Sequence, residues 1–275
     1  AMRDYLERGV LTEAVDGFIL VERTTPAGVR PGLVVALDLE QYDPSSGSNS
    51  LIRATEGTVA SRVPPRARIR SGAPLELPHA MMLIDDPQRM VVETLYENRD
   101  RLRPLYDFEL MLNGGHLRGW AVEGADADRV FRIMDLLARD ANGLLYAVGD
   151  GNHSIAAAKQ CWTQIRGELT EAERESHPAR YALVELINLH CPALAFEPVH
   201  RILFNVDSAM VLGELRRWLS ERGVADAPGD DLIVFDADMR MNFRFEQYPL
   251  PLLQSFLDSY LARHPEADID YIHGE

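Results

Sequence analysis

The chain has 275 residues, of which 46% are hydrophobic and 26% charged, with a formal net charge of −15 and a sequence pI near 5.0. That length can bury a sizeable core and suits one large domain or two small ones. The acidic balance argues against broad electrostatic binding to nucleic acid or to an anionic membrane surface. Two cysteines, Cys161 and Cys191, lack metal-type spacing and make no disulfide framework, so they read as reduced thiols of a cytoplasmic protein. No run approaches 18 apolar residues, and the charged N-terminal stretch has no signal-type core, so no membrane partner is expected.

In chain order, Phe18–Thr24 and Gly32–Tyr42 are predicted strands, joined by a turn over "PAGVRPG". Asp43–Ser50 is a loop by composition, and Leu51–Pro74 reads as irregular because Pro64-Pro65 interrupts it. A strand follows at His79–Asp86, then a helix from Pro87 to Leu102 with Asp86 as its N-cap. "MLNGGHLRGWAV" reads as a hairpin around Gly114-Gly115, and Asp126–Asp140 as a helix. "GLLYAVGD" is a buried strand and Ser154–Leu169 a helix. "YALVELINL" and "AFEPVHRILFNV" are strands, Ala209–Arg222 a helix, "DLIVFD" and "MNFRFEQ" a hairpin, Leu250–His264 a helix and "DIDYIHGE" the start of a strand. Strands, helices and hairpins alternate, which predicts a mixed α/β fold, a mixed sheet flanked by helices. A main body over residues 1–207 and a smaller α+β lobe over 208–275 are expected.

The stretch Gly149-Asp150-Gly151-Asn152-His153-Ser154 stands where a strand becomes a helix. The first backbone N–H groups of a helix have no intrahelical partner and carry the positive end of its dipole. A glycine turn lets an anion approach them. Two readings fit: an ordinary capped turn, or a phosphate site with Asp150 and His153 as reacting or magnesium-holding groups. The segment from Arg53 to Arg70 gathers Arg53, Arg62, Arg66, Arg68 and Arg70 in a chain with only 28 basic residues. Arginine suits bidentate phosphate contact, and Glu56 and Thr58 stand among these side chains. The alternative is a solvated basic loop whose pairs contribute little. A third group, Asn188, His190, Glu197, His200 and Arg201, includes a His-x9-His spacing that fits either a metal or ordered turns. Walker, nucleophile-elbow, zincin and dinucleotide motifs are absent.

The segments "ALDLEQYD", "SLIRATEGTVASRVPPR", "AVGDGNHSIAAAK", "VELINLHCPALAFEPVHRILF" and "IDYIHG" resemble an uncharacterised bacterial and archaeal group, domain-of-unknown-function family 1015. The resemblance runs from about Asp16 to the end; usual members are longer at both ends, which implies a short form or a piece. The family's usual turn, Asp-Gly-His-His-Arg, is similar to the nucleotide-binding turn of the ParB/sulfiredoxin-like fold, which includes a free-serine kinase. The resemblance implies that Asp150, Gly151 and His153 match that turn and that Glu56 matches its base. Asn152 replaces the first histidine and Ser154 the arginine, with Lys159, Arg53, His200 or Arg201 in support.

Together these features predict a nucleotide- or phosphate-binding enzyme, a phosphotransferase acting on a small serine-like hydroxyl. Glu56, Asp150 and His153 are its catalytic group. Gly151, Asn152, Ser154, Arg53, Thr58, Arg62, Arg66 and Arg68 are its phosphate ligands. Mg²⁺ on Asp150 and ATP or ADP are its expected cofactors. The alternatives are a non-catalytic nucleotide or anion sensor and a ParB-like DNA-binding protein, the latter opposed by the net charge.

Overall fold

A computed structural model describes the chain except residues 1, 12–14, 46–47, 56–57, 59, 78–79, 141–143, 195–198, 225–226, 237–239, 246–248 and 274–275. The chain divides into two compact units, Ala1–Ala195 and Phe196–Glu275.

The first unit contains helix α1 (Met2–Glu7), then strands β1 (Phe18–Thr25), β2 (Gly28–Asp38), β3 (Tyr42–Asp43) and β4 (Ile52–Ala54). Helix α2 (Val63–Arg70), β5 (Met81–Ile84), α3 (Val92–Glu97), β6 (Arg103–Glu109), β7 (His116–Val122) and α4 (Gly124–Asp140) follow. It ends with β8 (Tyr146–Asp150), α5 (Asn152–Arg166), α6 (Glu171–Ser176) and β9 (Tyr181–Asn188). Nine strands form one sheet in the order β3-β4-β8-β5-β9-β2-β1-β7-β6. β3, β4 and β8 run parallel, β5 runs antiparallel to β8 but parallel to β9, and the rest of the order is antiparallel. The fold is therefore mixed α/β, as the alternation of elements predicts. One face of the sheet is covered by α3, α4 and α5, through Val92, Leu95, Val130, Ile155, Ala158 and Trp162 packed on Leu20, Leu33, Met82 and Val148.

The second unit contains β10 (Val199–Phe204), α7 (Ser208–Glu221), β11 (Ala227–Phe235), β12 (Arg240–Arg244), α8 (Leu250–Arg263) and β13 (Asp268–His273). β10 pairs with β13 and β11 with β12, both antiparallel. Its core joins Leu212, Leu215 and Leu219 of α7 to Phe243 of β12 and Phe256 and Tyr260 of α8.

Several elements depart from the sequence reading for identifiable reasons. The turn after β1 is two residues, Pro26-Ala27, because Thr25 pairs with Gly28 and the ladder runs straight on. Pro31 is tolerated within β2 because β9 pairs only from Leu33 onward, so one side of the strand is open there. Pro64 and Pro65 do not make the arginine segment irregular. They occupy the first turn of α2, where a missing N–H costs nothing. The helix expected from Pro87 shrinks to Val92–Glu97, since Arg89 adopts a left-handed φ of 56° that breaks a continuous run. Asp86 accepts the Val91 N–H at 2.8 Å instead of capping a helix at Pro87.

α5 is held on the sheet by polar contacts along its length. Lys159 Nζ donates to the Leu39 carbonyl at 2.7 Å, and Trp162 Nε1 donates to Glu40 at 2.6 Å. Arg166 pairs with the same Glu40 carboxylate at 3.2 Å. Beside them Arg180 makes a two-pronged contact with Asp38, at 2.9 and 2.6 Å. Burial opposes the Asp38 charge, but the Arg180 guanidinium and the Glu40 N–H outweigh it and hold this carboxyl below the usual range. An acid with a depressed folded-state pKa stabilises above its unfolded pKa, and that stability is lost as pH falls through the folded value. Asp38→Asn is expected to lower the melting temperature at pH 7 and to flatten its fall on acidification. Thermal melts of both proteins from pH 7 to pH 3 check this.

Candidate functional site

The turn from β8 into α5 lies at the C-terminal end of an interior strand. Because β3, β4 and β8 run parallel, their C-terminal ends open together there. Gly151 holds the N-cap position of α5 with φ 89°, a left-handed conformation that favours glycine. Among the described residues no side chain caps this helix, so its first donors are not taken up in that way. Gly149 is needed for space: a Cβ there would lie 2.9 Å from Leu83 Cγ.

A bulge alters the aim of the acid. Met82 pairs with Val148 but Met81 pairs with Asp150, so β8 carries an extra residue at this point. Such a bulge interrupts the side-chain alternation and re-aims a side chain. The register then runs Asp150–Met81–Glu185 across β8, β5 and β9. Asp150 is exposed, and among the described residues its carboxylate has no hydrogen-bond partner.

Asn152 lies beneath the turn and is 3% exposed. Its Oδ1 accepts the Thr55 N–H at 3.2 Å, and its Nδ2 donates to Thr55 Oγ1 at 3.2 Å and to the Val148 carbonyl at 3.4 Å. Thr55 Oγ1 donates in turn to the Val148 carbonyl. This amide therefore ties the end of β4 to the end of β8, and the sequence reading of Asn152 as a phosphate ligand did not anticipate that engagement. Glu56 follows Thr55 in the chain but lies outside the described residues. The Thr58 hydroxyl is buried and has no hydrogen-bond partner among the described residues. His153 and Ser154 are half-buried in the first turn of α5.

The arginines are distributed differently. α2 packs along α5 by Ala67 on Ala157 and Cys161, with the Cys161 thiol donating to the Ala67 carbonyl at 3.4 Å. Ala157 and Cys161 stand on the order of 8 and 14 Å down α5 from Asn152, at about 1.5 Å per residue. Arg66 and Arg68 are exposed on α2, and Arg66 donates to the Arg62 carbonyl at 2.9 Å. Arg70 pairs with Glu76. Arg53 lies on β4 in register with Ala147, and its Nε donates to the Ser50 carbonyl at 3.0 Å. Lys159, the chain's only lysine, donates to Leu39 about two turns down α5 from the N-cap, on the anchoring contact described above.

The third sequence group is split between the units. His200 and Arg201 lie on β10 of the second unit, where Arg201 donates to the Val199 carbonyl at 2.6 Å and to Gln254 at 3.4 Å. His190 belongs to the first unit and contacts Asp85 at 2.8 Å. Glu197 lies outside the described residues. Among the described residues, no three His, Cys, Asp or Glu side chains gather into a metal-holding group. A lone carboxylate such as Asp150 can still share Mg²⁺ with phosphate oxygens of a ligand.

The sequence groups Asn188 with His190 and Glu197 but carries no signal of its partner Glu93. Asn188 is 1% exposed and donates to the Asp86 carbonyl at 2.8 Å and to Glu93 at 2.9 Å. Burial, reinforced by nearby Asp86, outweighs the Asn188 bond and pushes the Glu93 carboxyl above the usual range. An acid with a raised folded-state pKa costs stability as pH rises, because the unfolded chain ionises it more readily. Glu93→Gln is expected to raise the melting temperature at pH 8 more than at pH 5. Paired melts at the two pH values check this.

These features define a mixed α/β protein with a polar turn, Gly149–Ser154, at the C-terminal end of a parallel strand group. The family described as protein of unknown function (DUF1015) matches residues 1–247, and the chain belongs to it. No curated protein and no solved structure matches the chain. Among the described residues, no helix is long and apolar enough to cross a membrane.

Proposed function

We propose that the start of α5 binds the phosphate groups of a nucleotide and that the chain transfers phosphoryl to a small hydroxyl acceptor. The observation that carries the reading is the N-cap of α5: a left-handed Gly151 and, beside it, an exposed Asp150, neither a side-chain cap nor a partner for Asp150 being present among the described residues. Donors at a helix start, unblocked by a side chain, match a phosphate. The family's usual turn resembles the ParB/sulfiredoxin-like one, and Asp150, Gly151 and His153 match it, which supports the same assignment.

In this reading Glu56 accepts the proton of the acceptor hydroxyl, and Asp150 would help to hold Mg²⁺, which would supply neutralisation of phosphate charge. The Thr58 hydroxyl, without a hydrogen-bond partner among the described residues, offers a further donor. Arg53 and Arg62 are the arginines assigned to phosphate charge, while Arg66 and Arg68 face solvent. The cytoplasmic setting read from the cysteines is part of the same proposal.

One observation favours a second reading, a non-catalytic nucleotide sensor. Ser154 stands where the family's usual turn has arginine, which removes a bidentate phosphate contact. A phosphoryl-transfer screen with ATP or ADP, Mg²⁺ and small hydroxyl acceptors including serine separates the two. Turnover supports the transferase; saturable binding with the nucleotide recovered intact supports the sensor; absence of both overturns the site.

A further inference from the structure

On the sheet face opposite α3, α4 and α5, two arginines stand side by side. Arg23 of β1 and Arg30 of β2 are direct cross-strand partners, which places both on one face. Like charges in that position repel, and a chain tolerates them only when something nearby neutralises them. One carboxylate does so in part: Glu185 of β9 lies 3.4 Å from Arg30 Nη2, with both side chains about 15% exposed. Among the described residues Arg23 has no ion pair, and the Nε donors of both Arg23 and Arg30 are buried without a hydrogen-bond partner. Two guanidinium groups thus stand side by side with a carboxylate paired to only one of them, in a protein whose net charge is −15.

The surrounding backbone is shaped for this cluster. The adjacent row across β2, β1 and β7 is Gly32–Val21–Gly119. A Cβ on Gly32 would lie 2.9 Å from Glu185 Oε1, and a Cβ on Gly119 would overlap the Tyr106 ring. The two glycines let Glu185 and Tyr106 lie down over the sheet beside the arginines. The Tyr106 phenol is half-buried and within electrostatic reach of both Glu185 and Arg23. A planar ring, two fork-shaped cations and one surplus positive charge make a receptor for an oxyanion.

We propose that Arg23 and Arg30, with Tyr106 alongside, form an oxyanion-binding site on the sheet face opposite α3, α4 and α5, separate from the α5 turn and taking a phosphate or carboxylate group of a small ligand. The site completes the neutralisation that Glu185 begins. It does not depend on the nucleotide reading of α5, because no residue is shared.

The test uses the full chain with ¹⁵N-labelled arginine, titrated at low salt with inorganic phosphate and, separately, with succinate. Saturable shifts of the Arg23 and Arg30 Nε–H signals are expected with at least one anion. The anion that saturates at lower concentration identifies the ligand group as phosphate or carboxylate. Arg23→Gln is expected to weaken that binding at least tenfold and, without anion, to raise the melting temperature by removing the repulsion. Signals unmoved by both anions would overturn the site, as would unchanged affinity in Arg23→Gln.

Discussion

Asp150→Asn is expected to leave the melting temperature within about 1 °C of the native protein and to weaken Mg²⁺-dependent nucleotide binding at least tenfold, about 1.4 kcal/mol or more. The first half follows from position. Asp150 is exposed, has no hydrogen-bond partner among the described residues, and is not the N-cap of α5, which is Gly151. Asparagine is nearly isosteric, so the turn keeps its shape. The second half follows from charge, since an amide holds Mg²⁺ far more weakly than a carboxylate does. Differential scanning calorimetry beside titration calorimetry, with and without Mg²⁺, measures both. A variant that melts much earlier would show Asp150 to be structural. One that binds Mg²⁺-nucleotide like the native protein would remove it from the site.

Asn152→Ala is expected to give the opposite pattern, a large stability loss. Truncation removes three bonds of one buried amide and leaves the Thr55 N–H without its acceptor. The bonds to Thr55 Oγ1 and the Val148 carbonyl are lost as well, and each lost bond costs about 0.5–1.5 kcal/mol. A total of about 2–3 kcal/mol corresponds to roughly 4–12 °C, at about 2–4 °C per kcal/mol for a unit of this size. Thermal melts and urea unfolding measure it. A melt unchanged within about 1 °C would mean that the ends of β4 and β8 are held together by other contacts.

Much of the fold was legible in local pattern. The apolar run Leu144–Val148 followed by Gly149 and a helical period marked β8 and α5, because side-chain period and glycine placement are local properties. Pro64-Pro65 read as an interruption, because proline ends helices more often than it opens them; the packing of Ala67 on Ala157 carries no amphipathic signature. The Thr170-x-x-Glu173 capping box of α6 is a sequence-local pattern too.

The site was legible only where it is sequence-local. Gly149–Ser154 declares itself as one string, whereas the engagement of Asn152 with Thr55 spans 97 residues. The Arg23–Arg30 pair depends on register. Reading seven residues as the turn after β1 places Arg30 in a loop, while the two-residue turn puts it directly opposite Arg23. Asn188 and Glu93 meet only because the parallel strands β5 and β9 end together.

The central claim, that the start of α5 receives the phosphates of a nucleotide, is tested most directly by backbone amide NMR of the full chain titrated with ADP and Mg²⁺. Saturable shifts should be largest at Gly151, Asn152 and His153, and should be lost in Asp150→Asn when Mg²⁺ is present. Shifts confined to other segments, or none at saturating nucleotide, would contradict the account.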